Sequence, residues 1–279
     1  MATPPAIAEV CERALRLPCA PVLLPRLIAV IRDQQSTAQE LERLILQDSA
    51  LAAGTLRMVN SAAYAPQERV SDLRQAIVLV GYREIYRLAS LTALARWEEA
   101  HQDALPWDPG AFARNSFARA VAAELIAEQN GLDPVAAYTA GLVAEIGMLA
   151  LAYLCAPYYP LIAEAAREMP WEYAERVILE YDNRDVGMRL LRAWHFPLSF
   201  ITMNEFRSSP EDAPVTEHPF LAALHAADWI ALCIAPMRPS DASFFERHTP
   251  FLAAHGLNAS VLEQAKAVVI ERVARRLNQ

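Results

Sequence analysis

Between Val135 and Ala163 the chain carries a single formal charge, that of Glu145. A run this apolar either crosses a membrane, which takes about 20 consecutive apolar residues, or lies at the centre of a large helical core. Glu145 falls near the middle of the first stretch of that length. Pro157 and Pro160 interrupt the far end, and alanine dominates throughout. These features predict a fully buried core helix and no membrane span. The rest of the chain can cover it, because 54% of its 279 residues are hydrophobic and 21% are charged. A chain of roughly 300 residues buries about three quarters of its unfolded surface, so disorder and fibrous architectures are excluded.

Elsewhere the apolar residues recur at helical spacing. Leu41, Leu44 and Ile45 share one face, and Thr37 with Glu40 forms a capping box. Helix starts are also predicted after Ser71, Asp108-Pro109, Asp133-Pro134, Asp182, His218-Pro219 and Asn258, and Gly81 can end one helix. No run of alternating β-branched residues bounded by turns occurs. The predicted class is all-α. The segment from Glu98 to Gly110 is polar and holds Pro106 and Pro109. It divides an N-terminal helical half, residues 23–105, from a C-terminal half, residues 106–235. Residues 1–22 and 236–279 read as helical extensions, the second entered through an irregular Pro236–Pro250 connection.

Several chemistries are closed by composition. The 8 glycines include no pair closer than Gly141 and Gly147, so neither GxGxxG nor a phosphate-binding P-loop can be written. Lys266 is the only lysine, which leaves one amine for any Schiff base. Cys11, Cys19, Cys155 and Cys233 lie far apart and read as reduced thiols of a cytoplasmic protein. Met1–Arg16 lacks the basic start and apolar core of a signal peptide. A net charge of -8 argues against non-specific nucleic-acid binding, which needs a basic face.

One constellation is distinctive. Asp48-Ser49-Ala50-Leu51 is followed by Leu56-Arg57, Asn60-Ser61-Ala62-Ala63-Tyr64, Val70-Ser71, Gln75-Ala76-Ile77 and Gly81. Leu23 and Pro25 lie upstream. Ala140-Gly141-Leu142, Glu145-Ile146-Gly147, Trp194 with Pro197, and His225 to Asp228 follow downstream. This pattern resembles the HDOD family, helical bacterial signalling domains related to the HD phosphohydrolases, from about Leu23 to Ala235. Ser49 departs from it, since that family commonly carries proline there. The resemblance implies a multi-helix fold with an N-terminal subdomain packed on an HD-related one.

HD hydrolases hold divalent metals through a histidine, a His-Asp pair, further histidines and a distal aspartate. At the corresponding positions this chain carries Asn115, Ala144-Glu145, Asn183 and Asn204-Glu205-Phe206, and only Asp228 matches. One kept carboxylate, one lengthened to glutamate and no imidazole cannot make the usual nitrogen–oxygen site. The expectation is a catalytically dead pocket with no cofactor, in which Glu145 and Asp228 are vestigial. Glu145 is either a remnant ligand or the partner of an arginine, and the ion-pair reading is preferred. His218, His225 and Asp228 fall on one helix, but Asp228 bonded to the His225 imidazole is preferred to a metal stripe. Asn60 is read as a left-handed cap, with Ser61 bonding local backbone. Asp48, Asn60, Ser61, Tyr64, Gly81, Asn115 and His225 are the candidates for a binding groove.

The leading expectation is a non-enzymatic signalling module that binds another protein or a small regulatory ligand. A divergent metal-dependent phosphodiesterase working through Glu145 and Asp228 is the alternative. The third is a DNA-binding regulator using Arg57, Arg69, Arg74, Arg83, Arg87 and Arg96. Trp97 and Trp107 are read as packing anchors at the junction.

Overall fold

Sixteen α-helices and no strand occur among the residues described by the computed structural model, which are 3–17, 20–207, 209–237 and 249–277. Cys19 and most of the Pro236–Pro250 connection lie outside them. Several of the helices begin where side-chain oxygens meet free amides. Thr37 accepts from the Glu40 amide and Glu40 reaches back to Thr37, closing a capping box on α3 (Ala38–Ile45). Asp48 caps α4 (Ser49–Val59), and Asp72, one residue beyond Ser71, caps α5 (Leu73–Val80). Gly81, at φ 93°, turns the chain directly into α6 (Tyr82–Glu99). Such a φ suits a residue without Cβ. With α2 (Leu24–Arg32), these elements make the N-terminal half.

The C-terminal half is built around α7 (Ala111–Gln129), which is buried on nearly every side from Phe112 to Ala127. Its alanines let neighbours approach closely. A Cβ on Gly141 of α8 (Pro134–Val143) would stand 2.9 Å from the Cα of Ala120. α14 (His218–Ile234) and α16 (Ala259–Leu277) pack on other faces of α7. Each fully buried Phe, Val or Ile there contributes about 1.5–3 kcal/mol relative to exposure. That apolar gain is what allows a few charged groups to sit among them.

The long apolar run is buried from Val135 to Ala152, while Pro157, Pro160 and Leu161 at its far end are exposed, and it is not the single helix expected from it. It breaks into α8 and α9 (Ile146–Leu154) at Ala144-Glu145. The Ala144 carbonyl accepts from Nδ2 of Asn204 at 2.9 Å. The Glu145 carbonyl starts α9 by accepting from Met148 N at 2.9 Å. α9 then lies against α12 (Asn183–Ala193), so close that a Cβ on Gly147 would meet the Asn183 carbonyl oxygen at 1.8 Å. α1 (Ile7–Leu15) covers α9 and α12 with Val10, Cys11 and Ala14, and the Tyr181 hydroxyl donates to the Pro5 carbonyl at 2.8 Å.

Two polar seams join the halves. Glu98 at the end of α6 accepts from Trp107 Nε1 at 3.2 Å, Phe112 N at 3.1 Å and Ala113 N at 2.9 Å. It thereby caps α7 from the other half. Trp97 beside it is buried edge-on against Trp194, with ring centroids 5.8 Å apart, and Trp107 stacks on Phe112. In the second seam Arg87 of α6 pairs with Glu84 at 2.9 Å and with Glu124 of α7, while Tyr138 of α8 donates to the Arg87 carbonyl at 3.2 Å.

Candidate functional site

Four segments converge on a buried ionic cluster. Asn115 and Arg119 are one turn apart on α7 and so share a face. Glu145 projects from the α8–α9 break, Asp228 comes from α14, and Arg207 follows α13 (Leu198–Phe206). Arg119 donates through Nε to Asp228 Oδ1 at 2.5 Å and through Nη2 to Asn115 Oδ1 at 2.6 Å. The same Nη2 stands 3.8 Å from Glu145 Oε1. Arg207 Nη2 lies 3.0 Å from that oxygen, and its Nε lies 3.9 Å from Asp228 Oδ2. Asn115 completes its amide by donating to the Ala235 carbonyl at 2.7 Å.

Arg119 is 2% exposed and Glu145 is 3% exposed. Moving isolated charges to that depth costs several kcal/mol each, so they persist only where they offset one another. Two guanidiniums and two carboxylates do so here. Beside them, the cavity bordered by Ala144, Phe200, Asn204, Arg207 and Leu224 holds about 10 Å³. That is about one water's worth of space and far below the roughly 300 Å³ of small-molecule sites.

The residues do not fit a divalent metal of the HD type. Their donors are two carboxylates and one amide oxygen, and all three are engaged by guanidinium nitrogens. No group of three or more His, Cys, Asp and Glu suited to a metal occurs among the described residues. Nδ1 of His225 faces the Arg207 carbonyl at 3.2 Å. This corrects the expectation of a His225–Asp228 hydrogen bond, since Asp228 turns to Arg119 instead. Asn183 is drawn to Glu175, to whose Oε2 it donates from its backbone at 2.7 Å and its side chain at 2.8 Å.

The other candidates lie elsewhere. Asn60 has φ -83° and is not a left-handed cap. Its amide clamps Val70 from both sides, accepting from Val70 N and donating to Val70 O, each at 2.8 Å. It thus pins the loop that Ser61 begins by bonding the Met58 carbonyl at 2.5 Å. Tyr64 donates to Glu84 beside Gly81, and these residues border a shallow surface hollow. Asp48 borders a different hollow, where it pairs with Arg96 at 2.7 Å. Burial raises the Asp48 carboxyl, but Arg96 and the Leu51 and Ala50 amides outweigh it and hold the group below its ordinary range. Asp48 and the Tyr64–Gly81 pair thus border different hollows, while Asn115 belongs to the ionic cluster.

Arg119 and Arg207 were not among the sequence candidates. The signal was there for one of them: a lone carboxylate in an apolar run calls for a buried cation. Arg119, set among alanines four residues after Asn115, was the internal arginine to test.

The class is that of an all-helical, HD-related domain in which Asn115, Glu145 and Asp228 meet two buried guanidiniums. The family model for the HDOD domain matches residues 17–210, and the chain belongs to that family. Among solved structures, an HDOD domain protein of unknown function from Geobacter sulfurreducens has a TM-score of 0.75 at 20% identity, over 96% of both chains. A Marinobacter aquaeolei VT8 protein, provisionally named for signal transduction, has a TM-score of 0.75 at 19% identity over 96% of this chain and 60% of its own. A Shewanella amazonensis SB2B protein, provisionally named a phosphohydrolase, has a TM-score of 0.70 at 22% identity over 98% of this chain and 96% of its own. These likenesses establish the fold. An uncharacterised protein of Treponema pallidum (strain Nichols) is 23% identical over 227 residues, and this chain spans 43% of its length.

Proposed function

We propose that this chain is a non-enzymatic signalling module of the bacterial cytoplasm that acts by binding another protein. The observation that carries the reading is the engagement of Glu145 and Asp228 by two buried guanidiniums. Hydrolysis of a phosphoester in an HD-type centre needs a cation that lowers the pKa of water and clamps phosphoryl oxygens. Here the oxygens that would hold it are engaged by guanidinium nitrogens. Among the described residues, the cavity beside them, of about 10 Å³, is too small for a nucleotide, which favours a protein partner over a small ligand there.

A DNA-binding role draws less support. Of the arginines between positions 57 and 96, Arg74 is paired with Glu42, Arg87 with Glu84 and Glu124, and Arg96 with Asp48. Paired arginines release few counterions on meeting phosphate. The test of the main reading is hydrolysis of bis-p-nitrophenyl phosphate and of cyclic dinucleotides in Mg²⁺ or Mn²⁺. The purified chain should be no faster than its Asp228→Ala variant. Metal-dependent turnover that this substitution abolishes would overturn the assignment.

A further inference from the structure

We infer that the hollow between the end of α5 and the start of α6 docks a segment of a partner protein that presents an aliphatic side chain together with a carboxylate. The inference rests on the reading of the chain as a protein-binding module and adds where it binds and by what chemistry. The hollow measures about 800 Å³ and is bordered by Tyr64, Leu79, Gly81, Tyr82 and Arg83. α5 turns Leu73, Ala76 and Ile77 into the core, which leaves Val78 and Leu79 on its outer side, 84% and 52% exposed. Gly81 joins α5 to α6 with no loop between them, so Leu79 and Arg83 border the same hollow.

Single exposed aliphatic residues are ordinary on a protein surface. Two in succession beside a hollow make a patch, and apolar patches rimmed by polar groups mark interaction sites. The polar groups decide what covers this one. Glu84 accepts from Tyr64 and pairs with Arg87 at 2.9 Å, and Arg87 reaches on to Glu124. Arg83 is exposed and, among the described residues, pairs with no carboxylate. It is the cation of the rim that is open to a new partner. A net charge of -8 opposes both an anionic bilayer and nucleic acid. A small ligand needs most of its surface enclosed, which a rim as exposed as Leu79 does not provide. A carboxylate carried on an apolar protein segment satisfies Arg83 and covers the aliphatic surface together. Tyrosine and arginine are also the side chains enriched where proteins meet.

The test selects short peptides from a random displayed library on the full native chain, with and without prior depletion on the Leu79→Ser/Arg83→Glu double variant. Both positions are exposed, so the variants should keep the native helical ellipticity and melting temperature. Peptides enriched after depletion should combine aliphatic residues with Asp or Glu. By fluorescence anisotropy, Arg83→Glu should weaken them about 10-fold or more, because like charges then face each other. Leu79→Ser should weaken them about fivefold or more. Exchanging the acidic residue of the peptide for arginine should restore binding to Arg83→Glu. Leu198→Ser, at an exposed aliphatic residue of α13 outside the hollow, should change nothing.

Enriched peptides without an acidic residue, binding that Arg83→Glu leaves unchanged, or no enrichment after depletion overturns the proposal. So does adsorption of the native chain to phosphatidylserine–phosphatidylcholine vesicles that Leu79→Ser abolishes, because lipid would then be what covers the surface. If only the undepleted selection yields peptides, and they ignore both substitutions, the docking site falls while the protein-binding reading stands. Metal-dependent hydrolysis lost in Asp228→Ala would instead remove the non-enzymatic reading, without altering which residues the peptides touch.

Discussion

Asp48 shows how a distinctive residue can serve the chain's own backbone. It accepts from two amides at the start of α4 and pairs with Arg96 of α6, tying two helices of the N-terminal half at one carboxylate. Losing a helix cap of this kind costs about 1 kcal/mol. The half-exposed ion pair adds at most about 1 kcal/mol. Asp48→Ala should therefore lower stability by about 1–2 kcal/mol, read as a lower denaturant midpoint at unchanged slope. Because the folded carboxyl titrates below its unfolded value near 4, its contribution is fully present above that value. It is lost as pH falls through the lower folded value, so native and variant stabilities should converge in strong acid. Asn60 was legible as a motif residue but not as a clamp, because Val70, its partner, lies ten positions downstream across a loop.

Capped helix starts were legible because each depends on neighbours a few positions apart, whereas α7 begins at Ala111 behind Gly110 and not at Asp108-Pro109. The boundaries at Thr37, Asp133 and Asp182 follow from an oxygen and the amides two or three residues on. The break at Ala144-Glu145 was not legible. It depends on Asn204, sixty positions away, taking a carbonyl, and on the closeness of α12. Two glycines measure that closeness. Replacing glycine with alanine inside a helix gains up to about 1 kcal/mol of propensity. At Gly141 the new methyl would press the α7 backbone at 2.9–3.1 Å, a strain of about 1–3 kcal/mol that propensity partly offsets. At Gly147 it would overlap the Asn183 carbonyl at 1.8 Å, which no propensity gain can offset. Gly147→Ala should accordingly lower the melting temperature far more than Gly141→Ala, and comparable shifts would contradict this packing.

Across the whole molecule, stability runs through the seams between the halves. Glu98 is 1% exposed and meets three N–H donors near the start of α7, so its loss leaves buried donors unsatisfied. Each costs about 1–3 kcal/mol. Glu98→Ala should destabilise the chain by about 3 kcal/mol or more, measured by chemical denaturation. The native chain should unfold in one transition, with tryptophan fluorescence and helical ellipticity coincident, because Trp97, Trp107 and Trp194 sit at or beside that junction. Sequence composition reads Glu98–Gly110 as a boundary between halves. It did not reveal that the same segment is the fastening, since capping from another helix depends on docking angle and leaves no local pattern.

The sequence by itself determined the class of fold, the capped helix starts and the burial of most of the apolar run. All of these rest on residue type and on short-range periodicity, which survive without knowledge of the fold. Only the tertiary structure decided which cations stand beside Glu145 and Asp228. Arg119 and Arg207 lie 88 positions apart, on segments that meet only when α7 and α13 pack around α14 and the α8–α9 break. A counter-ion for a buried charge is chosen by distance in space, and spacing along the chain carries no record of that choice.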